Sequence, residues 1–148
     1  MAAIRLIKYW NKRIEIFGPT YAFQPLSLTS FLGPNIKQGL AIQFMCLTQT
    51  QDSGSRALIY AEAVRLMGAY DKSKDEDRLN IARAVWYLFH SALEEEHVQK
   101  RGMVFIVNYL GAQISVVDPK SQAYEVGYAQ CIWMFACSSW GYSCLQSS

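Results

Sequence analysis

Arg56-Ala-Leu-Ile-Tyr60, then Arg83-Ala-Val-Trp-Tyr87, then Val98-Gln-Lys-Arg-Gly-Met-Val-Phe-Ile-Val107 mark out a strand, a helix and a second strand. The first segment opens an apolar, β-favouring run over Arg56–Ala63. The second sits inside an amphipathic stretch. The third ends in Met103-Val-Phe-Ile-Val107, five apolar residues without alternation, as expected of a central strand covered on both faces. Strand, helix and strand at this spacing form a β-α-β crossover, which is right-handed and sets its two strands parallel.

The helix carries the clearest boundary signals. Ser73 with Glu76 three residues later reads as a capping box, and Asp75, Glu76 and Asp77 sit where the positive end of the helix dipole favours them. Gln99-Lys-Arg101 followed by Gly102 supplies cations and a glycine at the other end, so the spacing predicts one helix from Lys74 to Lys100. Ile81, Val85, Leu88, Phe89 and Ala92 form its apolar face, widened by Trp86 and Leu93. Asn80, Arg83, Tyr87, His90, Glu94 and His97 form an opposite stripe expected to meet water.

Upstream, Ile7, Trp10, Ile14 and Phe17 recur at helical spacing between Ala2 and Phe17, with Arg5, Lys8, Lys12 and Glu15 on other faces, until Gly18-Pro19 stops the helix. A basic amphipathic helix suits a membrane surface; the plainer expectation is docking on the domain with its charges in water. Pro25, Gly33-Pro34 and Gly39 punctuate a polar connector, Ala41–Leu47 reads as a short strand, and Asp52-Ser-Gly54 as a turn. A loop through Gly68, Tyr70 and Asp71 leads into the long helix.

The bulk numbers fit one globular domain: 148 residues, 51% hydrophobic and 18% charged. A net charge of +2, without a basic stripe alternating with aromatics, argues against a nucleic-acid partner. Cationic Arg5, Lys8, Lys12 and Arg13 leave no apolar core for a secretory signal. The four cysteines, three of them crowded near the end, do not space out like a disulfide framework and read as reduced thiols. Together these point to a cytoplasmic address, with peripheral membrane contact allowed. From Ser121 to Ser148 the only charge is Glu125, and Gln130, Ser138, Ser139, Gly141 and Ser143 break up a stretch otherwise long enough to cross a bilayer.

Arg5-Leu-Ile-Lys-Tyr-Trp10 with Phe17-Gly-Pro19, Asp52-Ser-Gly-Ser-Arg-Ala-Leu-Ile-Tyr60, and Glu94-Glu-Glu-His-Val-Gln-Lys-Arg-Gly102, in that order, resemble the CRAL-TRIO lipid-binding family, which includes tocopherol- and phosphatidylinositol-transfer proteins. The resemblance spans about Ala3 to Asp118. It implies an α/β fold: a mixed β-sheet with a β-α-β crossover and a flanking N-terminal helix, the sheet forming the floor of an apolar cavity that a gate helix closes over a lipid. On this reading residues 1–18 resemble the end of the family's helical lobe, 19–120 form a partial lipid-binding domain and 121–148 are an atypical low-charge tail. Two departures stand out. Asn108 followed by Gly111 replaces an aspartate before a glycine, and the tail occupies the place of the gate-helix half, so the chain reads as truncated after its central strand, with lipid binding impaired.

The resemblance implies a non-catalytic carrier whose partners are a small hydrophobic lipid and, transiently, a membrane surface. No cofactor or metal is implied. Its cavity-facing positions are Ile81, Ala82, Val85 and Phe89 on the long helix with Tyr60, Met103, Phe105 and Val107 on the strands; all would equally be buried in an ordinary helix-on-sheet core. Enclosing a chain of about fifteen carbons is worth on the order of 12 kcal/mol gross, and an open side forfeits about half of it. The alternative is a protein- or membrane-interaction module, or an inactive fragment, that keeps the scaffold without binding lipid; Trp133, Phe135 and Trp140 would suit the module.

Enzyme readings find less support. His90, Glu94 and His97 lie one turn apart like metal ligands, but no further histidine exists to complete a site from a second element. The chain has no nucleophile elbow, phosphate-binding glycine loop or dinucleotide fingerprint. Cys131, Cys137 and Cys144 are spaced too widely for zinc pairs.

Overall fold

The structure is a computed structural model that describes residues 2–66 and 74–111. It is mixed α/β: a small three-stranded mixed sheet and helices packed with it. Helix α1 (Ala2–Tyr21) kinks at Gly18-Pro19, where the sequence breaks the helical pattern. Helix α2 (Gly33–Ala41) and strand β1 (Met45–Gln51) follow. Strand β2 (Ala57–Glu62) runs into a short 3-10 turn at Ala63–Leu66. Helix α3 (Asp75–Leu93), helix α4 (Glu96–Arg101) and strand β3 (Met103–Asn108) complete the described chain.

The expected crossover is present. β2 and β3 are parallel, with Leu58 opposite Val104 and Ile59 opposite Phe105. β1 pairs antiparallel on the other side of β2, giving the order β1-β2-β3. The hairpin turn forms as its residues require: Asp52 Oδ1 accepts from the backbone N–H groups of Gly54 at 2.9 Å and Arg56 at 2.8 Å, while Asp52 N donates to Arg56 O. The Arg56 guanidinium, hydrogen-bonded to Asp52, holds that carboxyl below its usual range.

Several expectations need correction. β3 is an edge strand among the described residues, since β2 is the strand paired on both sides; Phe105 and Ile106 are exposed accordingly. The supposed connector around Gly33-Pro34 and Gly39 is helix α2. Pro34 serves the first helical turn, where its missing N–H costs nothing. Gly39 permits a close crossing of α3, because a Cβ there would stand 2.4 Å from Asn80 O and 2.7 Å from the Ala84 Cβ. The strand expected over Ala41–Leu47 begins only at Met45, because Ala41 still belongs to α2, and it continues through polar Thr48–Gln51 on its pairing with β2.

The long helix is not continuous. α3 ends at Leu93, Glu95 is extended (φ −80°, ψ 123°), and α4 starts afresh. An unbroken helix would crowd Glu94, Glu95 and Glu96 toward a negative end, whereas the break puts Glu96 in the first turn of α4 and Lys100 and Arg101 in its last. It also turns fully buried Val98 against Ala57 and Ala92, and Gln99 Nε2 caps the freed Leu93 carbonyl at 2.7 Å. Gly102, at φ 85°, then reverses the chain into β3, a backbone conformation that residues with a Cβ rarely adopt. At the other end Lys74 is the N-cap, without a side-chain capping bond, and Glu76 is engaged elsewhere; Ser73 and the Gly68–Asp71 loop lie outside the described residues.

The core gathers Tyr9, Ile16 and Phe17 of α1, Phe44 and Met45, Ile59 and Ala61 of β2, and Ala82, Val85, Trp86 and Phe89 of α3. The stripe of α3 expected to meet water does not do so throughout. Asn80 and Arg83 are buried, because α1 and α2 cover that side of the helix. Arg83 Nε donates to Ile16 O at 3.0 Å and its Nη1 to Glu76 and Asn80, while Asn80 donates to Gln38 on α2.

Candidate functional site

β2 presents alternate side chains to two unlike environments. Ala57, Ile59 and Ala61 are buried toward α3, whereas Leu58, Tyr60 and Glu62 are half-buried on the outer face. Side chains of directly paired residues share a face. Register therefore places Phe105 and Met103 with Ile59 and Ala57 on the inner side. It places Val104, Ile106 and Asn108, with Cys46 of β1, beside Leu58, Tyr60 and Glu62 on the outer side.

The eight residues expected to line a cavity divide accordingly. Ala82, Val85 and Phe89 are buried in the core, with Ile81, Met103 and Val107 packed against it. Phe105 sits at the sheet edge with its ring 6.1 Å from that of Phe89. Seven of the eight thus meet at one interface, filled by their own side chains. Tyr60 is on the other face.

That outer face is the candidate site. Leu58, Val104 and Ile106 give it an apolar floor, and none of them, nor Tyr60, belongs to an apolar cluster of the core. Ile106 is 46% exposed. One end of the floor is polar. Asn108 Nδ2 donates to the Tyr60 hydroxyl at 3.1 Å, and that hydroxyl donates to Glu62 Oε1 at 3.3 Å. Glu62 is also ion-paired with Arg65, whose hydrogen bond holds the carboxyl below its ordinary range. This arrangement can hold an apolar chain along the strands and a polar group at Tyr60, Glu62 and Asn108. The parity of residues along each strand was legible in the sequence. The missing signal was the face on which α3 lies.

A second polar feature was not anticipated. Arg13 of α1 is buried, its Nη1 donating to the Tyr9 hydroxyl at 2.9 Å and its Nη2 to Gln24 O at 2.5 Å. Its Cζ lies 5.3 Å from the Trp10 ring centre and 5.9 Å from that of Phe17, so aromatic faces supply part of its compensation. The Tyr9 hydroxyl, which accepts from Arg13, also shares a hydrogen bond with His90 Nε2 at 3.0 Å. Burial first, and the Arg13 charge second, push the pKa of His90 down to about 4. The metal-like line of His90, Glu94 and His97 is lost, since His90 turns to Tyr9 and His97 belongs to α4. No cluster of three or more metal-ligating side chains occurs among the described residues.

A small crevice beside this cluster, lined by Phe17, Tyr21, Gln24, Leu26 and Ile36 among others, has room for about one water molecule. Cys46 is an exposed free thiol. No described helix is long and apolar enough to cross a membrane. Cys131, Cys137 and Cys144, with Trp133, Phe135 and Trp140, lie outside the described residues. No protein-family model matches the chain, and no curated protein or solved structure matches it.

Proposed function

We propose that this chain is a non-catalytic, partial CRAL-TRIO-like unit that binds a hydrophobic lipid on the outer face of its sheet. One observation carries the reading: opposite the side sealed by α3, the same strands offer half-exposed Leu58, Val104 and Ile106 next to the Tyr60–Glu62–Asn108 hydrogen-bonded group. The strand, crossover helix and strand that resemble the family's sheet support it, with the ligand positions moved from the α3 side to the opposite one. Of the residues first expected to touch lipid, Tyr60 is retained.

The floor alone removes only one side of an acyl chain from water. About half of the full-enclosure term remains, roughly 6 kcal/mol gross, which corresponds to binding no tighter than tens of micromolar. The test is native mass spectrometry of the purified chain after exposure to phosphatidylcholine bearing a fluorescent acyl chain, with probe titration alongside. Bound probe that is lost in Ile106→Asp, with the circular dichroism of the fold unchanged, supports the proposal. Protein that stays empty at millimolar probe, or an Ile106→Asp variant that binds as well as the parent, rejects it.

A further inference from the structure

Of the apolar stripe that periodicity assigned to α1, Phe17 belongs to the seam by which α1 docks, whereas Ile7 does not. The buried seam is Tyr9, Arg13, Ile16 and Phe17. Ile7, expected to be buried, is 60% exposed, as is Ile4 one turn earlier. Trp10 and Ile14 continue the same flank half-buried. Phe23, itself 63% exposed, lies on Trp10 with ring centres 5.0 Å apart and planes 27° apart. The result is a contiguous ridge of Ile4, Ile7, Trp10, Ile14 and Phe23, of the kind that marks an interaction surface rather than scattered apolar exposure.

Charge selects the partner. No acidic residue occurs before Glu15, while Arg5, Lys8, Lys12 and Arg13 precede it. Arg13 is consumed inside the fold and Lys12 is paired with Glu15 at 2.8 Å, which leaves exposed Lys8 to set the sign of the rim. Two copies meeting ridge to ridge would bring these cations together. An anionic lipid surface would neutralise them while taking up the apolar side chains, with the indole at the headgroup level where tryptophan concentrates. We propose that the exposed flank of α1, extended by Phe23, docks the protein on anionic membrane surfaces. This goes beyond lipid capture and stands without it, since it uses none of Leu58, Tyr60, Val104 and Ile106.

The test is sedimentation of the full chain with vesicles of phosphatidylcholine containing one quarter phosphatidylserine, beside vesicles of phosphatidylcholine alone. Wild-type protein is expected to pellet with the anionic vesicles and to be released as salt rises. Lys8→Gln should weaken binding about five-fold and Ile7→Glu at least about thirty-fold. Ile4→Glu repeats the second change at another exposed position. Circular dichroism reports that each variant is folded. Wild-type protein left in the supernatant overturns the proposal, as does a folded Ile7→Glu that pellets normally. Concentration-dependent dimers that Ile7→Glu dissolves also overturn it, by assigning the ridge to a second copy of the chain.

Discussion

In the crossover, Ile59, Val85 and Phe89 meet across the α3–sheet interface as apolar side chains alone, whereas the layer formed by α1 and α2 meets α3 around two buried arginines, Arg13 of α1, bonded to Tyr9 and Gln24, and Arg83 of α3, bonded to Ile16. The first region gains stability from area removed from water and tolerates no polar atom. The second depends on hydrogen bonds, because a buried guanidinium left without acceptors is costly; Arg13 makes them through Nη1 and Nη2, while its buried Nε has no partner. The difference explains why one region is legible as an apolar pattern and the other is hidden among residues usually assigned to the surface.

The largest effect is expected in the crossover. Ile59→Ala, at a fully buried position, should cost about 4 kcal/mol in urea unfolding; a loss below about 1 kcal/mol would show that the interface is not the core it resembles. The helical layer should be most sensitive at its closest approach. Gly39→Ala drives a methyl group into Asn80 O and Ala84 and should cost about 3 kcal/mol by forcing α2 away from α3; a neutral result would mean the two helices do not cross there.

Acid separates the two regions without mutation. His90 has a folded pKa of about 4 against an ordinary 6.5, so the unfolded chain takes up the proton first as pH falls. The stability due to this group is complete above about pH 6.5, declines between 6.5 and 4, and changes no further below 4. About 2 kcal/mol is at stake once solvent screening is allowed for. His90→Gln should remove that slope in unfolding free energy measured across the window, while Ile59→Ala should keep it; an unchanged slope in His90→Gln assigns the acid sensitivity elsewhere. The smallest effect is a gain. Lys74→Ser places a capping hydroxyl at a helix start that has no side-chain cap and should stabilise by about 1 kcal/mol in the same assay.

Much of the crossover could be read in advance because its signals are local: the unbroken run Met103–Val107, the Asp52-Ser-Gly54 turn, and the cations and glycine that close α4. Helix α2 could not. Gly33-Pro34 and Gly39 are helix breakers by propensity, and only the contact with Ala84 shows why glycine is required inside that helix. The α1 seam was hidden for a related reason. Tyr9 and Arg13 count as polar in a periodicity argument, although the Tyr9 hydroxyl and the Arg13 Nη1 and Nη2 groups are hydrogen-bonded to one another, His90 and Gln24 inside the core. At the candidate site, alternation along β3 correctly grouped Met103, Phe105 and Val107, yet Tyr60 was added to the wrong face because alternation within one strand does not fix its register against the next.

The sequence by itself determined that Arg56–Ala63 and Met103–Val107 are strands joined through a helix, because apolar runs, turn residues and helix-end charges act over a few residues and need no partner to be recognised. Only the tertiary structure decided which face of the sheet α3 seals, where the glutamates split the long helix, and that two arginines belong inside. Those outcomes depend on which surfaces meet, and burial is a property of the pair of surfaces, not of either stretch alone.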